Sequence, residues 1–206
     1  MSWKMHLPLV KVACAAMLSY ALALAVHRGR GHEVAVSVGA ACFFVAGGLY
    51  THLVEYFYHK LAMHRTIHLG AFRFIDRRHL EHHRLFAGED FQTRNGRNLR
   101  EVTTQWYTFP VLFLIHYAVF WALFPPRYGA AFFLGVVGQF LFFEVSHWLT
   151  HVEDNVVDRM IAGIPLLSRI RAAQVEHHRL HHQRPLVNYN FTPPYLGDRL
   201  GRTRVK

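Results

Sequence analysis

Cysteine is nearly missing. Cys14 and Cys42 are the only two in 206 residues, and both sit inside apolar stretches, which excludes a disulfide framework and a thiolate metal site. A carboxylate-bridged metal pair of the helical-bundle kind is also unavailable. Glu144-x2-His147 imitates half of that pattern, but the pattern requires a second Glu-x-x-His and two further glutamates, and no second copy occurs. Polar groups at mid-span are scarce too. Only His116 and Gln139 occupy the middle of an apolar segment, which argues against a transport path lined by ligands or charges and hence against a zinc or copper transporter.

What is present is apolar and unevenly spread. A chain of this length fits one domain, but 52% hydrophobic and 15% aromatic residues are too many for an ordinary soluble one. Leu7 to Val26 is long enough for one bilayer crossing, with Lys11 near its start able to snorkel to the interface. Val34 to Phe57 is a second crossing and carries His52 and Glu55 near its end. Trp106 to Phe124 is a third, stopped by Pro125-Pro126. The fourth starts at Gly129 and closes near 149, with Trp148 at the far interface. Lys4, the first apolar run and Ala23-Leu24-Ala25 imitate a signal peptide, yet the run is long for one and another span follows at once.

The connections at His27 to Glu33 and Pro125 to Tyr128 are short, so the crossings are expected to pair as two antiparallel hairpins. Of 23 Lys and Arg residues, nine lie in His59 to Gln105 and nine in Leu149 to Lys206. That bias puts these segments, and both termini, in the cytoplasm. The net charge of +10 also suits nucleic acid, but the arginines border membrane spans, where anionic lipid accounts for them and no nucleic acid is expected. The expected fold is therefore an all-α integral membrane domain over 1–206: four transmembrane helices in two hairpins, with a cytoplasmic helical cap at 58–105 and 150–206. Asn95-Gly96 reads as a turn within that cap.

Histidine carries the chemistry. Ten of 17 histidines form four clusters: His59-x4-His64, His79-x2-His82-His83, His147-x3-His151 and His178-x2-His181-His182. Each cluster lies near the end of an apolar segment or in the basic stretch that follows. Residues three and four apart share a helix face, so each triplet can aim three rings at one volume, as can His147 and His151. His59 and His64, five apart, do not share an α-helical face, so the helix is expected to end or bend between them. Ten imidazoles are too many for one ion; two roughly octahedral ions offer about twelve positions and keep about one open each. Chance pairing in a His-rich chain does not readily give two triplets and two pairs in this order. His6, His27, His32, His52, His68, His116 and His177 are assigned to surface, loop or packing roles. Glu144 is a candidate for orienting His147 from behind, and Glu55, four residues before His59, for the same task. A dimetal site with open positions beside apolar spans suits a lipid substrate with its polar end at the interface.

These four clusters, with paired membrane hairpins, resemble the fatty acid hydroxylase superfamily of sterol desaturases, fatty acid 2-hydroxylases and related monooxygenases. The resemblance covers most of Glu55 to Thr203, and Asn190-Phe191 and Leu196-Gly197-Asp198-Arg199-Leu200 are similar to the family's tail. Thr192 stands where that tail has Gly, and Gly201-Arg202 replaces Phe-Gly. The resemblance implies that His59, His64, His79, His82, His83, His147, His151, His178, His181 and His182 hold two iron ions, with Asn190 near the site. It further implies oxygen, two external electrons, and hydroxylation or desaturation of a lipid. The His147-x3-His151 spacing looks most like the hydroxylase branch; a carotenoid ring hydroxylase, whose third cluster has a longer gap, is the nearest rival. With little chain before Leu7, no fused haem domain is expected, so a separate reductase, cytochrome or ferredoxin must supply electrons. Zinc can replace iron in a purified sample.

Overall fold

The computed structural model describes residues 7–31, 37–64, 73–94, 98–104, 106, 114–118 and 128–205. Among the described residues the chain is helical, with no strand and one isolated bridge between Thr93 and Val152. Helix α1 covers Leu7–Gly29, and α2 covers Val38–Phe57 and continues as a π-helical turn through Tyr58–Met63. Helix α3 is Arg73–Leu85, followed by short 3-10 turns at Gly88–Phe91 and Leu99–Glu101. Helices α4 (Gly129–Thr150), α5 (Val156–Ile161), α6 (Pro165–Gln183) and α7 (Leu196–Leu200) complete the set.

Among the described residues, three helices are long and apolar enough to cross a membrane: Leu7–Gly29, Val38–Met63 and Gly129–Thr150. The crossing expected over Trp106 to Phe124 lies mostly outside the described residues; within it 114–118 is helical. The Asn95-Gly96 turn lies outside them, as do His6, His32 and His68.

The chain divides into two compact units, one built mainly of His52–Val102 and Val145–Lys206, the other of His6–Thr51 and Thr103–Glu144. In the second unit, Val12 and Ala16 of α1 form a core with Phe132, Phe133, Val136 and Val137 of α4, against which Phe43 and Tyr50 of α2 pack. The outward faces keep large apolar side chains such as Leu18, Leu22, Phe44 and Leu49 exposed, as lipid-facing helices do. Two glycines set the α2–α4 approach. A Cβ on Gly47 would lie 2.1 Å from the Phe132 carbonyl oxygen, and one on Gly135 would lie 2.0 Å from that of Phe44. Lipid tails are as apolar as leucine, so membrane helices gain by close backbone contact, and small residues permit it.

Gly47→Ala and Gly135→Ala are therefore expected to force these helices apart, at a cost of about 1–3 kcal/mol each. Gly138→Ala, which meets nothing within 4 Å, should be neutral or slightly stabilising. Thermal unfolding of the detergent-solubilised variants checks the contrast.

Candidate metal centre

All ten cluster histidines lie in the unit formed by 52–102 and 145–206, and they separate into two groups of five. His59, His64, His79, His83 and His181 form the first group; His82, His147, His151, His178 and His182 form the second. Within each group the five donor nitrogens lie within 4.8 Å of one another.

Local structure explains how each ring arrives. Five residues rotate an α-helix about 140° past a full turn, which would separate His59 from His64. Instead α2 widens at its end, and the His64 N–H donates to the His59 carbonyl at 3.2 Å, a π-type bond five residues long. The widened turn brings the two Nε2 atoms to 3.2 Å. The helix thus changes pitch between these residues and ends at Met63, just before His64, in line with the end expected there.

The triplets do not serve one volume each, and this corrects the sequence reading. His79 and His83 enter the first group while His82 enters the second; His178 and His182 enter the second while His181 enters the first. Neighbouring residues on a helix diverge by about 100°, so the middle ring of His-x2-His-His fans away from the last. Each group therefore takes an i,i+4 pair from one of α3 and α6, the middle ring of the other, and the pair that ends a membrane helix. The two groups meet where the His83 and His182 rings stack with centroids 4.2 Å apart.

The donor set fits metal ions. His59 Nδ1 donates to the Tyr189 carbonyl at 2.5 Å, His181 Nδ1 to that of Val187 at 2.7 Å, and His151 Nδ1 to that of Phe91 at 2.7 Å. A carbonyl only accepts, so each of these rings carries its hydrogen on Nδ1 and turns a bare Nε2 inward. Nε2 atoms nonetheless crowd together. His59 and His79 are 2.9 Å apart, His64 and His181 3.1 Å, and His151 and His178 3.1 Å. Metal–nitrogen bonds of about 2.1 Å in an octahedron set adjacent nitrogens about 3.0 Å apart and opposite ones about 4.2 Å apart, which matches this crowding. His82 adds a second sign: it is 2% exposed, and both of its ring nitrogens are buried without a hydrogen-bond partner. Such burial is costly unless something accepts the lone pair.

Burial also keeps the rings neutral, as ligation requires. It holds His79, His82, His83, His178, His181 and His182 well below the ordinary imidazole value, with repulsion from neighbouring rings adding to the effect. His64 and His151 are brought down to about 3, again by burial first. The second group is walled by Phe86, 4.5 Å from the His151 ring, and Phe191, 4.7 Å from that of His178. The first group borders Tyr189, whose ring centroid is 5.7 Å from that of His64.

Behind the first group lies a clamp that residue type alone does not announce. Asp198 is fully buried and accepts from the backbone N–H groups of Tyr189 at 2.8 Å and Asn190 at 2.7 Å, and from the Thr203 hydroxyl at 2.7 Å. It thereby fixes the segment whose carbonyls at Val187 and Tyr189 orient His181 and His59. Burial alone would raise this carboxyl, but hydrogen bonds from His177, Thr203 and the two backbone groups outweigh it and hold it below the usual range. Asn190 belongs to the same segment: its amide donates to the His52 carbonyl at 2.8 Å, and its Oδ1 accepts from Gly197 at 2.7 Å. Glu55 is spent there too, accepting from the Phe191 N–H at 2.5 Å and lying 3.3 Å from His52 Nδ1. Glu144, buried, accepts from the Thr104 N–H at 3.2 Å. His177 stays outside both groups, 2.9 Å from the Asn190 carbonyl and stacked on Tyr195.

No protein-family model, curated protein or solved structure matches the chain.

Elemental analysis of the purified protein should find two transition-metal ions per chain. His181→Ala and His82→Ala, which remove one donor from different groups, should each lower the content toward one ion. Asp198→Asn cannot accept from two backbone N–H groups, because its amide nitrogen turns toward one of them. It should cost about 1–3 kcal/mol at neutral pH. Since the folded carboxyl is held low, its contribution is complete above the unfolded value and is lost as pH falls through the folded one. The gap in melting temperature between wild type and variant should therefore close below about pH 4.

Proposed function

We propose that the chain is a membrane-bound, non-haem di-iron monooxygenase of the fatty acid hydroxylase type, acting on an unactivated C–H bond of a fatty acyl or sterol-like lipid. One observation carries this reading: two adjoining groups of five neutral imidazoles, each leaving about one position of a six-coordinate ion for a small ligand. A structural site closes its coordination, whereas a catalytic one keeps a position open. All-imidazole donors without thiolate suit iron, and two iron ions, when bound, supply dioxygen activation and the two-electron oxidation of the C–H bond. The balance is one lipid R–H, one O2, two electrons and two protons giving R–OH and water. The electrons come from a separate reductase, cytochrome or ferredoxin docking on the basic face.

The chain's own residues supply geometry and dryness. The carbonyls of Tyr189, Val187 and Phe91 fix three rings in one tautomer, as partners behind metal ligands commonly do. Phe86, Phe91 and Phe191 keep water from the second group. Each membrane-helix pair, His59 with His64 and His147 with His151, lies at the end of its apolar span, a level suited to a substrate whose polar end is interfacial. The same reading takes Trp106 to Phe124 as a fourth crossing and places the histidines on the cytoplasmic side, on the Lys and Arg bias.

Lipid mass spectrometry of cells expressing the wild type, His82→Ala, His181→Ala or no protein, grown under 18O2, tests the proposal. A lipid species heavier by one labelled oxygen and present only with the wild type is the expected result. A species lacking two hydrogens would reassign the chain to desaturation, and an unchanged lipidome would remove the oxygenase reading.

A further inference from the structure

Helices α5 and α6 form a hairpin that is inside out. Polar side chains are turned inward: Asn155 is buried and caps α5 by accepting from the Asp158 N–H at 3.0 Å, and Gln174 is buried on α6. Arg171, with only 11% of its side chain exposed, binds Asp158 at 2.9 Å and Gln174 at 3.0 Å. Apolar side chains are turned outward: Met160 is 74% exposed, Leu166 68% and Val156 55%, with Ile164, Leu167 and Ile170 also exposed. A water-facing hairpin shows the reverse pattern, and six large apolar residues exposed within fifteen exceed the scattered ones that water tolerates.

Two features say what covers this face. The first is attachment. α5 begins six residues after Thr150, the last residue of a membrane-length helix, and Arg171 Nη1 donates to the Thr150 hydroxyl at 2.9 Å. Asn155 Nδ2 also donates to the Leu149 carbonyl at 3.0 Å, so both helices of the hairpin are tied to the end of that span, the level of the bilayer surface. The second is charge. Arg159, 3.3 Å from Asp154, and Arg169 are exposed among the apolar residues, and Arg and Lys beside an apolar interfacial surface are drawn to anionic headgroups.

The geometry points to the α5–α6 hairpin as an interfacial anchor: its Met160, Ile164, Leu166, Leu167 and Ile170 face is seated in the headgroup and upper acyl region of an anionic leaflet. The anchor needs only the membrane spans and stands independently of the proposed reaction. It does not cross the bilayer. It lies in the plane of the surface and adds a fixed contact beyond the spans.

The test uses the full chain with Cys14→Ala and Cys42→Ala in nanodiscs of phosphatidylglycerol and phosphatidylcholine, holding one chain per disc. A polarity-sensitive fluorophore is placed through Met160→Cys, Leu166→Cys or, as control, Glu176→Cys. Labels at 160 and 166 are expected to be quenched several-fold more by a lipid nitroxide just below the headgroup than by aqueous iodide, with the order reversed at 176. In parallel, a membrane-partitioned carbene photolabel applied to the unsubstituted chain should modify the peptide spanning 160–170. Iodide-accessible labels together with an unmodified peptide would overturn the proposal. So would protection that appears only with several chains per disc, which would give the face to a second copy.

Discussion

Ten imidazole lone pairs turned toward two small volumes are the constraint on which the rest of this protein turns. Neutral rings bring their Nε2 atoms to about 3 Å, a distance at which bare nitrogens repel. A cation removes the conflict, because a lone pair that is unsatisfied against another nitrogen is satisfied against a metal. The tautomers are arranged to that end, since three rings hand their hydrogens to backbone carbonyls on the far side. Ligation and burial therefore support each other: water kept out holds the rings neutral, and neutral rings are the form that binds.

The gathering of eight of the ten rings was readable from spacing, because residues three and four apart share a helix face; His59 and His64, five apart, join them only through the π turn. Three membrane-length helices were equally readable from apolar runs that no soluble core requires. Their division into two groups was not. Treating each triplet as one unit overlooks that adjacent positions diverge by about 100°, and that divergence sends His82 and His181 across to the opposite group. The Val187, Tyr189 and Phe91 carbonyls were invisible for a different reason, since every residue has a carbonyl and only tertiary placement makes one an orienting group. Asp198 lay between. Its place in the tail is legible in the sequence, but a buried acid that gathers the backbone N–H groups of Tyr189 and Asn190 declares itself only in three dimensions.

The π turn at the end of α2 shows how small a backbone change decides the site. A regular α-helix would carry His59 and His64 to different faces, and the first group would lose a donor. Wider helical turns are intrinsically poorer, so this one persists because surrounding contacts hold it. His59 is gripped on its far nitrogen by Tyr189, and the Lys60 ammonium donates to the Tyr56 hydroxyl at 3.0 Å. The strap at 187–198 thus holds both the ring and the irregular turn that presents it.

Depth follows from the same anatomy. Two of the histidine pairs close membrane-length helices, and α6, which carries three more of the ten rings, is tied through Arg171 to the terminal Thr150 of one of them. In the proposed enzyme, a centre with open positions at the end of two apolar spans would favour molecules that straddle the boundary between water and hydrocarbon. The same proposed centre would disfavour small polar solutes, which have no reason to collect there, and fully apolar ones, which have no polar end to hold at the interface. On that proposal, helices that anchor the protein and also carry the metal-binding rings would select amphiphiles without recognising any particular headgroup.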